Sequence, residues 1–153
     1  MKSVPETVLA YIEKDEAFLM LFRNKKKNDI NANKWIGVGG HLEKEETPED
    51  ALYREIKEET GLDVIFYQKR GVIHFNYDEL SEIMHLYVVS KTSGELIDCN
   101  EGTLKYIPKN EVLNIPIWEG DKIFLKKILS NDPYFELELN YQQDTLVSYR
   151  FIK

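Results

Sequence analysis

Residues 47–61 read Thr-Pro-Glu-Asp-Ala-Leu-Tyr-Arg-Glu-Ile-Lys-Glu-Glu-Thr-Gly and leave the chain little choice of local structure. Thr47 offers a hydroxyl acceptor, Pro48 a φ already set for a first helical position, and Asp50 an acid at the positive end of the helix dipole. Gly61 is the residue type that best stops a helix. The spacing predicts a helix over 48–60 with Leu52 and Ile56, and Ala51 near by, as its buried stripe. That helix sets Glu55 three and four residues from Glu58 and Glu59, beside Arg54. Like charges at this spacing cost about 0.2–0.5 kcal/mol per pair, and the negative end of the dipole disfavours carboxylates again. A solvated acidic face would bear those penalties with nothing gained. A divalent cation turns them into binding energy, because hard Mg²⁺ or Mn²⁺ takes carboxylate oxygens and keeps places open for phosphate. Glu55, Glu58 and Glu59 therefore read as metal ligands lining a seam between helix and sheet.

The segment before the helix fits that reading. Trp35 to Gly40 is a short apolar strand ending in glycines, where Gly39 and Gly40 allow close backbone approach and free N–H groups can meet phosphate. A Gly-x-Gly-Gly by itself marks only a tight turn; directly before an acidic helix it points to a phosphorylated ligand. Arg23, Lys25, Lys26 and Lys27 form a basic run that either steers a polyphosphate or is a solvated loop.

Elsewhere the pattern alternates between strand and helix. Residues 7–12 and 17–23 read as a hairpin turning near Lys14-Asp15, and residues 64–77 and 83–91 as two strands with a turn near 78–81. A further strand over 102–107 is closed by Pro108, and residues 118–130 carry Ile123, Phe124, Lys127 and Ile128 at helical spacing. The tail alternates at Phe135, Leu137 and Leu139 and again at Val147, Tyr149 and Phe151, which suggests a hairpin around 142–144. Strands on both sides of one helix, followed by another helix, predict an α/β protein with helices on both faces of a mixed sheet.

Length and charge narrow the partners. A chain of 153 residues suits one domain, and a formal net charge of −7 argues against stable binding to nucleic acid, which needs clustered Lys and Arg. Cys99 is the single cysteine, so no intramolecular disulfide forms and a reducing compartment is expected. No stretch approaches the ~18 apolar residues of a membrane span, and the amino terminus lacks a signal-peptide core. The expectation is a cytoplasmic protein with no membrane partner.

Gly40, five residues, Glu46, seven residues, then Arg54-Glu55-Ile56-Lys57-Glu58-Glu59-Thr60-Gly61-Leu62 resembles a complete Nudix box, the signature of hydrolases that split nucleoside diphosphates linked to another moiety. The resemblance extends through residues 23–43, 94–104 and 117–121, which are similar to the MutT-type oxidised-purine nucleoside triphosphatases of Gram-positive bacteria. It implies one Nudix α/β/α sandwich over 1–153, with a mixed sheet between the helices. It also implies a Mg²⁺ site, with Mn²⁺ as the alternative, built from Gly40, Glu55, Glu58, Glu59 and Glu101, the last an acid outside the box. Arg23, Gly39, Trp118 and Asp121 would meet the nucleoside triphosphate. By the same resemblance Trp118 stacks on an oxidised purine and Asp121 pairs with its edge; read as a plain sequence, the first is a core residue and the second belongs to a helix's first turn. Ile36 stands where a related human enzyme has a base-contacting asparagine, so base recognition must differ here or be looser.

The implied reaction is attack of water on the β-phosphorus of 8-oxo-dGTP, releasing monophosphate and pyrophosphate. Glu58, the middle acid of the turn, is the first choice for general base; Arg54 is expected to fix a glutamate by a bidentate bond and not to touch substrate. His41, His74 and His85 lack metal-type spacing and read as structural, and Phe75 and Tyr77 as sheet packing or base pocket. Two other functions stay open: a Nudix hydrolase for a dinucleoside polyphosphate, ADP-ribose or a capped RNA end, and a non-catalytic nucleotide-binding regulator. The chain would work as a monomer or homodimer.

Overall fold

Residues 8–12, Val-Leu-Ala-Tyr-Ile, are apolar at every position, so a strand containing them must be covered on both faces. The computed structural model, which describes residues 4–25 and 29–152, satisfies that demand. β1 (Glu6–Lys14) lies inside a nine-stranded sheet with β2 (Ala17–Phe22), β3 (Trp35–Ile36), β4 (Val38–His41), β5 (Asp63–Tyr77), β6 (Leu80–Ser93), β7 (Thr103–Pro108), β8 (Phe135–Gln142) and β9 (Thr145–Phe151). The path runs β3-β2-β1-β6-β5-β8-β9, with β4 paired to β1 and β7 to β2. The β1–β6 and β5–β8 pairs are parallel and the others antiparallel, so the sheet is mixed as expected.

Two helices cover the two faces. α1 (Pro48–Thr60) buries Ala51, Leu52 and Ile56 against Val8, Ala10, Ile12 and Tyr87. α2 (Glu119–Leu129) buries Phe124, Leu125 and Ile128 in a second cluster with Leu9, Tyr11, Phe18 and Met20. Alternate residues of β1 thus feed opposite cores, which gives the strand its unbroken apolar run. The result is the α/β/α sandwich with a mixed sheet.

The boundaries of α1 match the sequence reading because its ends carry their own signals. Thr47 accepts from the Asp50 N–H at 3.1 Å and Asp50 accepts from the Thr47 N–H at 3.1 Å, a reciprocal cap. Gly61 takes φ 80° and donates to the Lys57 carbonyl at 3.0 Å.

Three expectations need correction. Trp35 to Gly40 is not one strand: Trp35–Ile36 pairs with β2 and Val38–His41 with β1, the partner changing at Gly37. A Cβ at Gly37 would sit 2.7 Å from the Ala10 carbonyl oxygen, so the crossover needs glycine. The β1–β2 hairpin also turns one residue later than read, on Asp15 and Glu16, both with positive φ, and β6 begins at Leu80, three residues before the expected start.

Candidate functional site

The register of β1 with β4 places Gly39 opposite Leu9 and Gly40 opposite Val8, and α1 packs its acidic edge over those glycines. Space decides the residue type. A Cβ on Gly40 would lie 2.6 Å from the Glu55 Cδ, so any side chain there would displace the carboxylate. The Gly39 N–H donates to Glu59 Oε2 at 3.1 Å. That amide is therefore committed to the acid cluster in this structure and is not offered to a phosphate.

Glu59 is only 6% exposed, and its Oε1 is buried without a hydrogen-bond donor among the described residues. A buried carboxylate left in this state costs free energy unless it is protonated or meets a cation. Burial, with Glu101 and then Glu55 facing it, pushes the Glu59 carboxyl far above the usual range; burial likewise raises Glu55, against the pull of Arg54. Glu59 and Glu101 stand together with Cys99, one ligand atom of each lying within 4.8 Å of the others. Converging carboxylates with an orphaned oxygen fit a hard divalent cation.

Arg54 organises the outer side of this cluster. Its Nε and Nη2 donate to the two oxygens of Glu46 at 2.7 and 2.9 Å, its Nη1 to Glu55 at 2.7 Å and Glu58 at 3.3 Å, and Nη2 also to the His41 carbonyl at 3.0 Å. The fork predicted from sequence closes on Glu46, whose carboxyl is held down at about 2 by the Arg54 hydrogen bonds. Glu55, Glu59 and Glu101 are thus drawn together, while Glu58 lies against Arg54 with its side chain 58% exposed. Arg23 donates to Asp29 at 2.7 Å and approaches Glu101 at 3.5 Å, so it braces an acid of the cluster. Lys25 donates to the Cys99 carbonyl at 3.1 Å; Lys26 and Lys27 lie outside the described residues.

A cavity of about 560 Å³ is lined both by Arg23, Gly39, Gly40, Arg54, Glu55 and Glu101 and by Leu9, Ile36, Phe75, Met84, Trp118 and Asp121. Trp118 is 4% exposed within the core cluster of α2, as its plain reading expects, and it also lines the cavity. Its Nε1 donates to Asn31 at 2.7 Å, Lys34 sits 4.6 Å above its ring, and Phe75 meets it edge-on at 6.1 Å. Phe75 likewise serves packing and pocket at once.

Asp121, 7% exposed, has no side-chain hydrogen bond among the described residues. Burial pushes its carboxyl up to about 8, with Lys34 acting in the opposite direction. A group whose folded pKa lies above its unfolded value stabilises the fold fully below the unfolded pKa, and that contribution is lost as pH rises through the folded one. Asp121→Asn should therefore flatten the fall in melting temperature between about pH 4 and pH 8 and raise stability at the alkaline end by ~1–3 kcal/mol. An unchanged pH profile of melting in that variant would show that Asp121 is charged in the native protein.

The histidines all find carboxylates. His85 Nε2 lies 2.7 Å from Glu6 with Lys69 2.8 Å from its other nitrogen, His41 is 2.9 Å from Glu82, and His74 is 3.9 Å from Glu136. Sequence reasoning gave no role to Glu46, Asn31, Lys34 or Cys99. Glu46 was visible as a fixed position of the motif; the other three meet the site only through loops whose path no periodicity encodes.

A family model described as the NUDIX domain matches residues 4–128. Over 126 residues the chain is 28% identical to the oxidized purine nucleoside triphosphate hydrolase of Mus musculus, covering 81% of each chain. It is 29% identical over 115 residues to an RNA pyrophosphohydrolase of Pseudomonas putida, covering 72% of this chain and 55% of that protein. The solved MutT mutator protein of Bacillus halodurans superposes with a TM-score of 0.86 at 26% identity, covering 97% of this chain and 98% of that one. No helix among the described residues is long and apolar enough to cross a membrane.

Proposed function

The chain belongs to the Nudix family of hydrolases, which act on phosphoric anhydrides, and from that premise we propose that it hydrolyses oxidised purine nucleoside triphosphates, 8-oxo-dGTP foremost, to the monophosphate and pyrophosphate with Mg²⁺. One observation carries this reading: a single cavity is lined by Glu55 and Glu101 of the acidic cluster and by Trp118, Phe75 and Asp121, so a nucleotide can present phosphates to one set and its base to the other. The names of the murine relative and of the Bacillus halodurans protein support it.

When bound, Mg²⁺ would neutralise the triphosphate and lower the pKa of a water for attack on phosphorus. The residues around it have separable tasks. Glu55, Glu59 and Glu101 would hold the cation. The Gly39 N–H fixes one oxygen of Glu59, and Arg54 aims Glu55 while spending its other donors on Glu46. Glu58, ordered by Arg54 yet exposed, is the proposed base that takes the water's proton. A protonated Asp121 would offer a purine edge one donor and one acceptor, and Trp118, locked by Asn31, a face to stack on. Ile36, apolar where an amide would read the base, should loosen discrimination. The buried lone thiol of Cys99 suits a reducing, cytoplasmic setting.

The likeness to RNA pyrophosphohydrolases favours one alternative, a 5′-triphosphorylated RNA end at the same acids. A panel of 8-oxo-dGTP, dGTP, ADP-ribose, a dinucleoside polyphosphate and triphosphorylated RNA, assayed with Mg²⁺ in wild type and Asp121→Ala, separates the two. The expected result is preference for 8-oxo-dGTP, and a loss of ~1–3 kcal/mol in kcat/KM in the variant that is much smaller on dGTP. Equal losses on both nucleotides, or preference for RNA, would overturn the substrate assignment.

A further inference from the structure

Cys99, 4% exposed, stands in the segment between β6 and β7 with its Sγ within 4.8 Å of carboxylate oxygens of Glu59 and Glu101. A buried thiol often only fills space. Three other features set this one apart. The Glu59 Oε1 beside it is buried without a hydrogen-bond donor among the described residues. Burial, with Glu59 and Glu101 facing it, pushes the Cys99 thiol up, against the backbone N–H groups of Glu101 and Gly102 that point at the sulfur, so the sulfur is a thiol until a cation displaces its proton. Lys25 anchors the segment twice, its Nζ donating to the Cys99 carbonyl at 3.1 Å and its backbone N–H to the Glu101 carbonyl at 3.3 Å.

We propose that Cys99 Sγ and one oxygen each of Glu59 and Glu101 form a mixed sulfur–oxygen site that binds a thiophilic divalent cation, Zn²⁺ or Cd²⁺, in competition with Mg²⁺. The inference rests on the reading of Glu59 and Glu101 as metal ligands and extends it to the identity of the ion. Hard Mg²⁺ selects oxygen and ignores sulfur, whereas thiolate selects softer ions. Zn²⁺, with bonds of about 2.0–2.3 Å, would draw together three ligand atoms that already lie within 4.8 Å of one another, and three protein ligands leave a fourth tetrahedral place for water or a phosphate oxygen. Binding breaks the S–H bond, forms a sulfur–metal bond and releases to solvent the thiol proton and the proton held by the buried Glu59 carboxyl, with no change of oxidation state.

The test titrates Cd²⁺ and then Mg²⁺ into the metal-free full chain, without nucleotide, and follows the sulfur-to-metal charge-transfer band and the cadmium NMR shift. Because the chain has one cysteine, such a band has one source. The expected result is a stoichiometric band and a cadmium shift of mixed sulfur–oxygen ligation. In Cys99→Ser the band should vanish and Cd²⁺ affinity fall by at least ~10-fold while Mg²⁺ binding stays nearly the same. Cd²⁺ that binds wild type with no band, or with an all-oxygen NMR shift, overturns the proposal and requires no variant to fold. Mg²⁺-dependent turnover is measured alongside. A band without turnover on any nucleotide supports the ligand set and removes the function proposed above; turnover without a band leaves that function and removes the thiolate.

Discussion

Glu59→Gln should lower kcat/KM by ~10²–10³-fold and at the same time raise the melting temperature of the metal-free protein. The loss follows from removing one negative charge from a site that concentrates a cation, an interaction worth several kcal/mol. The gain follows from the same burial and grows with pH: a carboxyl pushed far above the usual range must keep its proton or ionise at a cost beside Glu101 and Glu55, whereas an amide stays neutral at every pH and keeps an acceptor for the Gly39 N–H. Activity and stability therefore move in opposite directions, which a merely structural glutamate would not produce. Glu58→Gln provides the contrast. Its side chain is exposed and paired with Arg54, so its loss should leave the melting temperature within experimental scatter while cutting turnover by at least ~10²-fold through loss of the base. Wild-type turnover in Glu58→Gln would transfer the base to another carboxylate; in Glu59→Gln it would remove the metal site itself.

Exhaustive chelation should abolish hydrolysis, and Mg²⁺ or Mn²⁺ should restore it. The cation should also stabilise the fold, because it binds the native carboxylate cluster and not the unfolded chain: at 100 times the dissociation constant the gain is ~2.7 kcal/mol. Most of that gain should disappear in Glu59→Gln, which lacks one of the carboxylates proposed to hold the cation. Calorimetric melting with and without Mg²⁺ in both proteins reads this directly, and an equal stabilisation in both would place the cation elsewhere.

What the sequence disclosed follows from where its information is local. The span of α1 was legible to the residue because Thr47, Pro48, Asp50 and Gly61 are themselves the caps. Residues 7–12 were legible as a strand, but that both its faces are buried was read only from the two helices that cover the sheet. The placement of Glu55 and Glu59 along one edge of α1 was legible because one helix turn fixes their relation. The long-range pairings were not legible. That Arg54 would close its fork on Glu46 while also reaching Glu55 and Glu58 of its own turn depends on how the loop after His41 returns along the helix. That Cys99 would stand beside Glu59 depends on Lys25 tying down a segment 74 residues away. The split of Trp35 to Gly40 into two strands likewise needed the partner strands, since β1 and β2 diverge after a three-pair hairpin and leave separate edges to fill. Asn31 and Lys34, which fix Trp118, come from a loop with no periodicity at all.

The measurement that bears most directly on the account is hydrolysis of 8-oxo-dGTP in heavy-oxygen water with Mg²⁺, its products resolved by phosphorus NMR and mass spectrometry. The account predicts 8-oxo-dGMP and pyrophosphate in equal amounts, the label in pyrophosphate as attack on the β-phosphorus requires, and no reaction once the cation is chelated. Release of orthophosphate, or turnover that survives chelation, would contradict it.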